Sequence, residues 1–243
     1  MKLFKYLFWT IWRSWFAVWG AIVTIVVSPF MFVFLIDDRT FHLFSKALKI
    51  WSSAILFGMG FYLKAVGNKP KLSQSSYIYI ANHTSVLDIL MMISISEKPL
   101  VFVGKKELSK IPLFGYFYKK TCVLVDRSSH KSRVGVYQGI SKKIDEGKSI
   151  CIFPEGLVSE DESIVLCPFR VGAFKIAIDH KLNIIPVVLK DCKARYSFTF
   201  FSGSPGKLRY AYLDLISQNN FDNPREMRDE AFDQFYAYLT QDK

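Results

Sequence analysis

Hydrophobic and polar positions divide the chain into two parts with different patterns. From about residue 70 onward, short apolar runs alternate with longer segments of helical periodicity. The apolar runs predict buried strands at 76–81, 99–104, 121–125, 149–153 and 184–189. The segments between them predict helices near 86–96, 113–119, 132–146 and 170–180. This alternation is typical of an α/β fold, with a mainly parallel sheet flanked by helices.

The region after residue 190 carries its own pattern. Residues 198–200 and 207–215 predict two late strands, separated by a turn that contains Gly203, Pro205 and Gly206. Pro224 predicts the start of a terminal helix, because proline is favoured at the first helical position.

The first 68 residues predict two apolar helices. No charged residue occurs between Ser14 and Ile36, a length that would span roughly 34 Å as a straight helix. A second apolar stretch runs from Trp51 to Val66, and His42, Lys46 and Lys49 make the segment leading into it amphipathic. Four tryptophans near the start of the first run suit a membrane interface, namely Trp9, Trp12, Trp15 and Trp19. We therefore predict a membrane-associated helical segment over residues 1–68 and one α/β domain over residues 69–243.

Charge and composition narrow the classes of partner. A formal net charge of +11 favours a polyanionic partner, either nucleic acid or anionic lipid. No zinc-finger spacing, RNP motif or basic helical repeat supports nucleic acid, so we expect membrane lipids as partners and no nucleic acid. The four cysteines are scattered, which predicts core thiols in a reducing compartment and no metal site: Cys122, Cys151, Cys167 and Cys192.

The segment 82–88 carries the clearest chemical signal. A histidine directly after a buried strand, with a carboxylate five positions on, indicates a general base and its orienting partner, His83 and Asp88. The alternative is that Ser85 caps the helix, with Asp88 in the first turn and His83 in a loop. The spacing requires His83 to lie in the turn before the helix and to reach forward over its first residues.

Two further predicted strands also end at charged groups. One is followed by Asp126 and Arg127, and the other by Pro154-Glu155-Gly156. In open α/β sheets the carboxyl ends of the strands form the ligand crevice. We therefore expect these groups and the histidine to converge in one cleft.

At these positions the chain resembles the glycerolipid acyltransferase family, which includes the lysophosphatidic acid (1-acyl-glycerol-3-phosphate) acyltransferases. His83 and Asp88 match the family's His-x-x-x-x-Asp block. The other matching pieces follow in the family's order: Lys106-Glu107-Leu108 with Pro112 and Gly115, Val123-Leu124-Val125-Asp126-Arg127, Phe153-Pro154-Glu155-Gly156, Pro168-Phe169-Arg170-Val171-Gly172-Ala173 and Ile185-Pro186-Val187-Val188. Order and approximate spacing agree throughout.

The resemblance implies the activity. It implies transfer of a fatty acyl group from acyl-CoA or acyl carrier protein to the free hydroxyl of a lysophospholipid, with no cofactor. The expected acceptor is 1-acyl-glycerol-3-phosphate, which would give phosphatidic acid in phospholipid biosynthesis. His83 is expected to be the general base and Asp88 its orienter, without an acyl-enzyme. Amides at the start of the helix, or those around Gly156, are expected to hold the oxyanion.

Several residues are candidates for binding the substrate. Arg127 is preferred for the acceptor's phosphate because guanidinium binds phosphate in a bidentate manner; its alternative is a solvated charge. Glu155 with Gly156 either holds acceptor hydroxyls or locks the loop. Further candidates for the positive charge are Lys105, Lys106 and Arg170.

One departure from the family's pattern concerns the acceptor. In the family, Pro-Glu-Gly is usually followed by Thr and Arg, whereas Leu157 and Val158 follow here. An aliphatic side chain cannot pair with a phosphate. The alternatives are therefore an acyltransferase for another lysolipid, or a catalytically silent membrane lipid-binding protein of the same fold.

Charge also bears on membrane topology. Lys2, Lys5 and Arg13 would hold the N-terminus on the cytoplasmic side of a bacterial inner membrane or its equivalent. The catalytic domain is expected on the same side, because activated acyl donors are made there. Either the two helices form a hairpin that dips into one leaflet, or both cross. Pro29 and the amphipathic second stretch favour the half-embedded hairpin. A cleaved signal peptide is disfavoured, since no clear small-residue cleavage site follows the run.

Overall fold

The computed structural model describes residues 2–125, 130–159, 161 and 163–241. The α-helices are α1 (Lys2–Phe34), α2 (Phe41–Gly58), α3 (Leu87–Ile95), α4 (Phe114–Thr121), α5 (His130–Asp145), α6 (Gly172–Asp179), α7 (Cys192–Arg195) and α8 (Pro224–Gln241). The strands are β1 (Phe61–Val66), β2 (Ile78–Ala81), β3 (Leu100–Lys105), β4 (Val123–Val125), β5 (Ser149–Ile152), β6 (Ile184–Leu189) and β7 (Gly206–Tyr212). All five strands and four helices predicted between residues 76 and 189 are present, with ends shifted by a few residues at most.

The chain forms two compact units that are discontinuous in sequence. The helix unit consists of Met1–Asn68, His83–Ser96 and Leu189–Ala211. The sheet unit consists of Lys69–Asn82, Glu97–Val188 and Tyr212–Lys243. The single boundary at residue 68 stays a prediction.

Parallel strands build the core of the sheet unit, in the spatial order β6-β2-β5-β3-β4. β2 lies between β5 and β6, with Ile78 opposite both Ile150 and Ile184. Every residue of β2 and β6 is buried. Their near-continuous apolar sequences suit strands covered on both faces. The mainly parallel sheet predicted from the alternating pattern is confirmed.

The helices of the sheet unit pack on these strands and on one another. α5 packs on β4 and β5 and is followed by Gly147, whose φ of +72° is the left-handed conformation that commonly terminates a helix. α8 begins at Pro224, as predicted, and packs on α6. Its Phe235 is fully buried, with its ring centroid 5.3 Å from that of Phe169.

The helix unit is built on α1, α2 and α3. α2 packs on both α1 and α3, and Ser52 Oγ lies 2.8 Å from Ser94 Oγ. The apolar stretch 51–66 is not one helix, so that prediction was wrong. α2 ends at Gly58, and Gly60 then takes a φ of +77°, which breaks the helix and leads into β1. β1 pairs in parallel with β7.

α1 is the one helix in the described part of the chain that is long and apolar enough to cross a membrane. Its most apolar window has a mean hydropathy of 2.2, and 17% of that window is buried. The helix continues through Pro29, so the uncharged part from Ser14 to Phe34 is about 31 Å long, close to the roughly 30 Å of a hydrocarbon core. The predicted pair of membrane helices is not confirmed, because α2 buries Phe41, Phe44, Ala47, Ser52, Ile55 and Leu56.

The four tryptophans of α1 have a structural role that the predicted interfacial belt did not foresee. Their indole N–H groups donate to main-chain carbonyls, Trp9 to Gly203 at 3.0 Å, Trp12 to Met59 at 3.2 Å, Trp15 to Gly58 at 2.9 Å and Trp19 to Ala54 at 2.9 Å. Gly58 and Met59 lie at the end of α2, where the last carbonyls have no partner within the helix, and Ala54 lies one turn earlier. Three indoles therefore fasten α1 to the last part of α2, and that of Trp9 fastens it to the segment before β7.

Residues 198–200 are not a strand, so this prediction was wrong. Arg13 of α1 donates to the carbonyls of Ser197 at 2.9 Å and Thr199 at 2.7 Å. An α1 side chain therefore satisfies this backbone in place of a neighbouring strand. The second predicted late strand is present as β7.

Candidate active site

His83 lies in the segment between β2 and α3, as its spacing from Asp88 required. Its Nδ1 is 3.0 Å from Asp88 Oδ2, and Asp88 is in the first turn of α3. The side chains of His83 and Asp88 are 20% and 0% exposed. With the proton on Nδ1, the lone pair that accepts a proton is on Nε2. The contact predicted between the two residues is present, while their catalytic roles stay predictions.

Main-chain amides hold the Asp88 carboxylate in place. Oδ2 also accepts hydrogen bonds from the amides of Thr84 at 2.5 Å and Ser85 at 2.7 Å. One carboxylate oxygen thus joins the turn, the helix and the imidazole. The alternative interpretation of Asp88 as a first-turn residue is therefore also correct, because the same oxygen organises the turn and meets His83.

Ser85 has a structural role in this turn. Its Oγ accepts from the amide of Leu87 at 3.1 Å and donates to the carbonyl of Tyr196. Ser85 is fully buried. These contacts fit the capping function that the alternative interpretation of this segment gave to Ser85.

Several of the amides expected to hold the oxyanion donate hydrogen bonds within the protein. At the start of α3, the amides of Thr84 and Ser85 bind Asp88, that of Leu87 binds Ser85 Oγ, and that of Asp88 binds the Ser85 carbonyl at 3.3 Å. The Gly156 amide donates to the Phe153 carbonyl at 3.0 Å. These five amides therefore already have partners within the protein, and which groups hold the oxyanion stays a prediction.

Cys192 lies beside Asp88 and was missed as a site residue. It is a free, fully buried thiol whose Sγ is 3.1 Å from Met91 Sδ. Burial raises its pKa well above the usual value, and the negative charge of the nearby Asp88 carboxylate raises it further. The thiol therefore stays protonated next to the carboxylate. The sequence holds no signal for this contact, because the two residues are far apart along the chain.

The Pro154-Glu155-Gly156 tripeptide follows β5 and is held by a later segment of the sheet unit. Glu155 is 5% exposed, and its Oε2 accepts from the amide of Cys167 at 2.8 Å. The Arg170 amide donates to the Pro154 carbonyl at 2.8 Å. Locking of the loop, one of the two roles weighed for Glu155, is therefore present.

Gly156 and Arg170 lie against each other. Gly156 has a φ of +71°, and a Cβ built on it would be 2.7 Å from Arg170 Nε. The absence of a side chain therefore lets the guanidinium group lie directly over the loop. The structure thus brings the predicted site residues together in two groups, His83 with Asp88 in the helix unit, and Glu155, Gly156 and Arg170 in the sheet unit.

The remaining basic candidates are placed only in part. Lys105 ends β3 and pairs with Val125, the last residue of β4, while Lys106 follows directly; both lysines are exposed. Arg127 and Asp126 lie outside the described residues. Whether Arg127 binds phosphate stays a prediction.

Comparison with known proteins places the chain. A family model described as Acyltransferase matches residues 64–190, more than half of the 243-residue chain. The chain belongs to the acyltransferase family.

Individual relatives carry the same class of name. The 1-acyl-sn-glycerol-3-phosphate acyltransferase of Saccharomyces cerevisiae is 29% identical over 185 residues, which are 74% of this chain and 61% of the relative. That of Escherichia coli is 38% identical over 138 residues, which are 55% of this chain and 54% of the relative. The chain thus spans about half to three-fifths of the length of the curated relatives it matches.

The fold has a close counterpart among solved structures. The crystal structure of the 1-acyl-sn-glycerophosphate (LPA) acyltransferase from Thermotoga maritima aligns with a TM-score of 0.82. The alignment covers 98% of this chain and 97% of that chain, at 18% sequence identity. At this identity the likeness supports the fold alone.

Proposed function

We propose that this protein transfers a fatty acyl group from an acyl thioester to the free hydroxyl of 1-acyl-glycerol-3-phosphate, which gives phosphatidic acid for phospholipid biosynthesis. The observation that carries the proposal is the partly exposed imidazole of His83, bonded through Nδ1 to the buried carboxylate of Asp88. The names of the relatives support this acceptor. The acyl donor is acyl-CoA or acyl carrier protein.

In the proposed mechanism, Nε2 of His83 takes the proton from the acceptor hydroxyl as its oxygen attacks the thioester carbonyl. The C–O bond forms, and negative charge develops on the carbonyl oxygen. The C–S bond then breaks, and the departing thiolate takes the proton from the imidazolium. Asp88 stabilises that imidazolium through the bond to Nδ1. The acyl group passes directly to the acceptor without an acyl-enzyme.

Substrate binding is proposed to rest on charge. Arg127 binds the acceptor's phosphate, with Lys105, Lys106 and Arg170 as further sources of positive charge. Glu155 and Gly156 shape the loop after β5, and Glu155 also accepts from an acceptor hydroxyl. The net charge of +11 favours the anionic membrane surface where lysophospholipids lie.

The protein is proposed to work at a membrane, with its catalytic residues on the cytoplasmic side. α1 supplies the apolar anchor, because the helix is long and mostly unburied. The basic residues Lys2 and Lys5 at its start favour a cytoplasmic N-terminus. α1 either crosses the bilayer or lies half-embedded together with α2. Fluorescence quenching by lipid spin labels at known depths, measured at several positions along α1, distinguishes the two arrangements.

A second acceptor is favoured by one observation. Leu157 and Val158 stand where the family usually has Thr and Arg, and Leu157 is 44% exposed. A different lysolipid, with a head group that does not need this arginine, is therefore the second candidate.

An acyl-transfer assay with purified protein tests the proposal. It compares several lysophospholipid acceptors with acyl-CoA and with acyl carrier protein as donor, and His83→Ala is the control. The highest rate is expected with 1-acyl-glycerol-3-phosphate. A higher rate with another lysolipid would establish the second candidate. Absence of transfer with every pair would support a lipid-binding protein without catalysis.

A further inference from the structure

A short loop of the helix unit exposes several aromatic side chains. The aromatic loop, residues 196–203, connects α7 to β7. Phe198, Phe200 and Phe201 are 67%, 47% and 48% exposed. In soluble proteins large aromatic side chains are mostly buried, and a cluster of exposed ones commonly marks an interaction site. The exposed rings therefore mark this loop as a candidate contact surface.

The loop is fastened to α1 through Arg13. The guanidinium Nη2 donates to three carbonyl oxygens of the loop, those of Ser197 at 2.9 Å, Thr199 at 2.7 Å and Ser202 at 3.2 Å. The guanidinium carbon Cζ of Arg13 also lies 4.5 Å from the ring centroid of Tyr196 and 5.5 Å from the ring centroid of Phe200. Hydrogen bonds from a charged donor are stronger than neutral ones. The position of the loop is therefore tied to α1.

Two aromatic residues of α1 add to this attachment. The ring of Tyr6 meets that of Phe201 edge to face, with centroids 4.8 Å apart. The indole of Trp9 donates to the Gly203 carbonyl. The α1 residues in these hydrogen bonds and in the contact with Phe201 lie at or before Arg13, while Tyr196 at the start of the loop also meets the rings of Trp12 and Phe16, at centroid distances of 5.5 Å and 5.0 Å.

This position on α1 defines the depth of the loop. Lys5 and Arg13 are the charges of α1 nearest to the uncharged run that begins at Ser14. If that run enters the hydrocarbon, residues 6–13 lie at the boundary with water. Trp and Tyr favour this boundary because each joins an apolar ring to a polar group, and phenylalanines at the same level can bury their rings on its apolar side. The aromatic loop therefore lies level with the interface.

We propose that the aromatic loop is a second membrane-contacting element, which inserts Phe198, Phe200 and Phe201 into the interfacial region of the bilayer beside α1. The inference rests on the proposed attachment of α1 to the membrane. Its partner is the lipid surface, because the loop is fastened to α1 directly before the uncharged run that begins at Ser14, at the level where that helix would enter the bilayer. The loop thereby orients the helix unit on the membrane and does not serve as the main anchor.

Depth-dependent fluorescence quenching tests this inference on the full-length protein. Cysteine replaces Phe198 in one variant and Phe201 in a second, each is labelled with an environment-sensitive dye, and the protein is bound to phosphatidylethanolamine–phosphatidylglycerol vesicles. Vesicles carry spin labels either near the head groups or deep in the acyl chains. Ile25→Cys, at a 63% exposed position of α1, reports on the proposed attachment. Tyr236→Cys is the matched control, since Tyr236 is 48% exposed on the charge-rich α8. The unaltered protein gives the labelling background of its native thiols.

The expected result is a shift of emission to shorter wavelength and a loss of intensity at positions 198 and 201, greater with the shallow spin label than with the deep one. Position 25 should respond to lipid spin labels as well, and position 236 should respond weakly. Quenching at 25 without quenching at 198 and 201 overturns the inference and leaves the attachment of α1 intact. No quenching at 25 overturns the attachment itself. Equal quenching at 198, 201 and 236 would show general adsorption of the protein to the vesicles and would overturn the inference. An emission shift at position 198 that depends on protein concentration and not on lipid would show that a second copy of the chain is the partner, which would also overturn it.

Discussion

His83 Nδ1 lies 3.0 Å from Asp88 Oδ2, and the two partners differ in exposure. The imidazole side chain is 20% exposed, whereas the carboxylate is fully buried. A substrate can therefore meet the ring but cannot meet the carboxylate. Asp88 can act on the reaction only through the imidazole, which is the relationship that a general base and its orienting partner require.

Replacement of His83 by Ala is expected to reduce acyl transfer by roughly 10²–10⁴-fold, because no general base would remain. Asp88→Asn should also reduce kcat strongly, since a neutral amide cannot stabilise an imidazolium. Steady-state rates with saturating donor and acceptor measure both effects, and vesicle binding and circular dichroism should be unchanged for His83→Ala. His180→Ala is the matched control, because His180 is also partly buried and bonds to Ser141 Oγ at 2.9 Å. If His83→Ala kept more than about a tenth of the rate, the assignment of the base would be wrong.

The elements of the sheet unit followed directly from local pattern. The apolar runs that became β2, β5 and β6 are buried on both faces, and such strands give a continuous hydrophobic signal. Residues 198–200 alternate apolar and polar side chains, which is also a strand pattern, but they form a loop. Their backbone binds Arg13, more than 180 residues earlier in the chain. Local pattern predicts an element only where no distant side chain competes for its backbone.

The candidate site shows the same division. The pairing of His83 with Asp88 was predictable, because a residue in the turn before a helix can reach a residue five positions later in the first turn of that helix. Two other contacts were not predictable from the sequence: the hydrogen bond from the Cys167 amide to Glu155, and the approach of Cys192 to Asp88. Both depend on segments brought together by the tertiary fold, and neither cysteine stands in a motif.

Arg127→Ala is expected to raise the KM for the acceptor much more than the KM for the acyl donor, if Arg127 binds the acceptor's phosphate. The expected loss of binding free energy for the acceptor is about 1.5–3 kcal/mol, the range for hydrogen bonds to charged groups. Arg127→Lys should recover part of it, since an ammonium cannot form the bidentate fork. Initial rates with each substrate varied in turn give both constants, and Lys119→Ala, at an exposed cation of α4, controls for a general loss of charge. Equal changes in the two constants, or no change, would place the phosphate site elsewhere.

Glu155→Ala is expected to destabilise the sheet unit by about 1–3 kcal/mol, because the buried Cys167 amide would lose its acceptor. Glu155→Gln keeps an oxygen acceptor at the same distance and should retain most of the stability. Denaturant unfolding in detergent measures both variants. A Gln variant with normal stability and a raised KM for the acceptor would add the proposed substrate contact. An Ala variant as stable as the unaltered protein would contradict the locking role.

The pairing of Asp191 with Arg209 is expected to make the stability of the protein depend on acid pH. Arg209 donates to Asp191 from Nε at 2.9 Å, from Nη2 at 2.7 Å and from its amide at 2.7 Å. Burial acts to raise the pKa of Asp191, but the hydrogen bonds and charge of Arg209 outweigh it and hold the pKa below its usual value of 3.8. A carboxyl whose pKa is lower in the folded state stabilises the fold fully above the unfolded pKa, and that contribution is lost as pH falls through the folded value. Asp191→Asn should therefore cost about 1–3 kcal/mol of unfolding free energy at pH 7, and the difference from the unaltered protein should shrink below about pH 4. Denaturant unfolding in detergent between pH 3 and pH 7 measures this difference, with Asp229→Asn as the control, since the side chain of Asp229 is 61% exposed. A difference that stays constant over this range, or grows as pH falls, would show that the charge of Asp191 does not stabilise the fold.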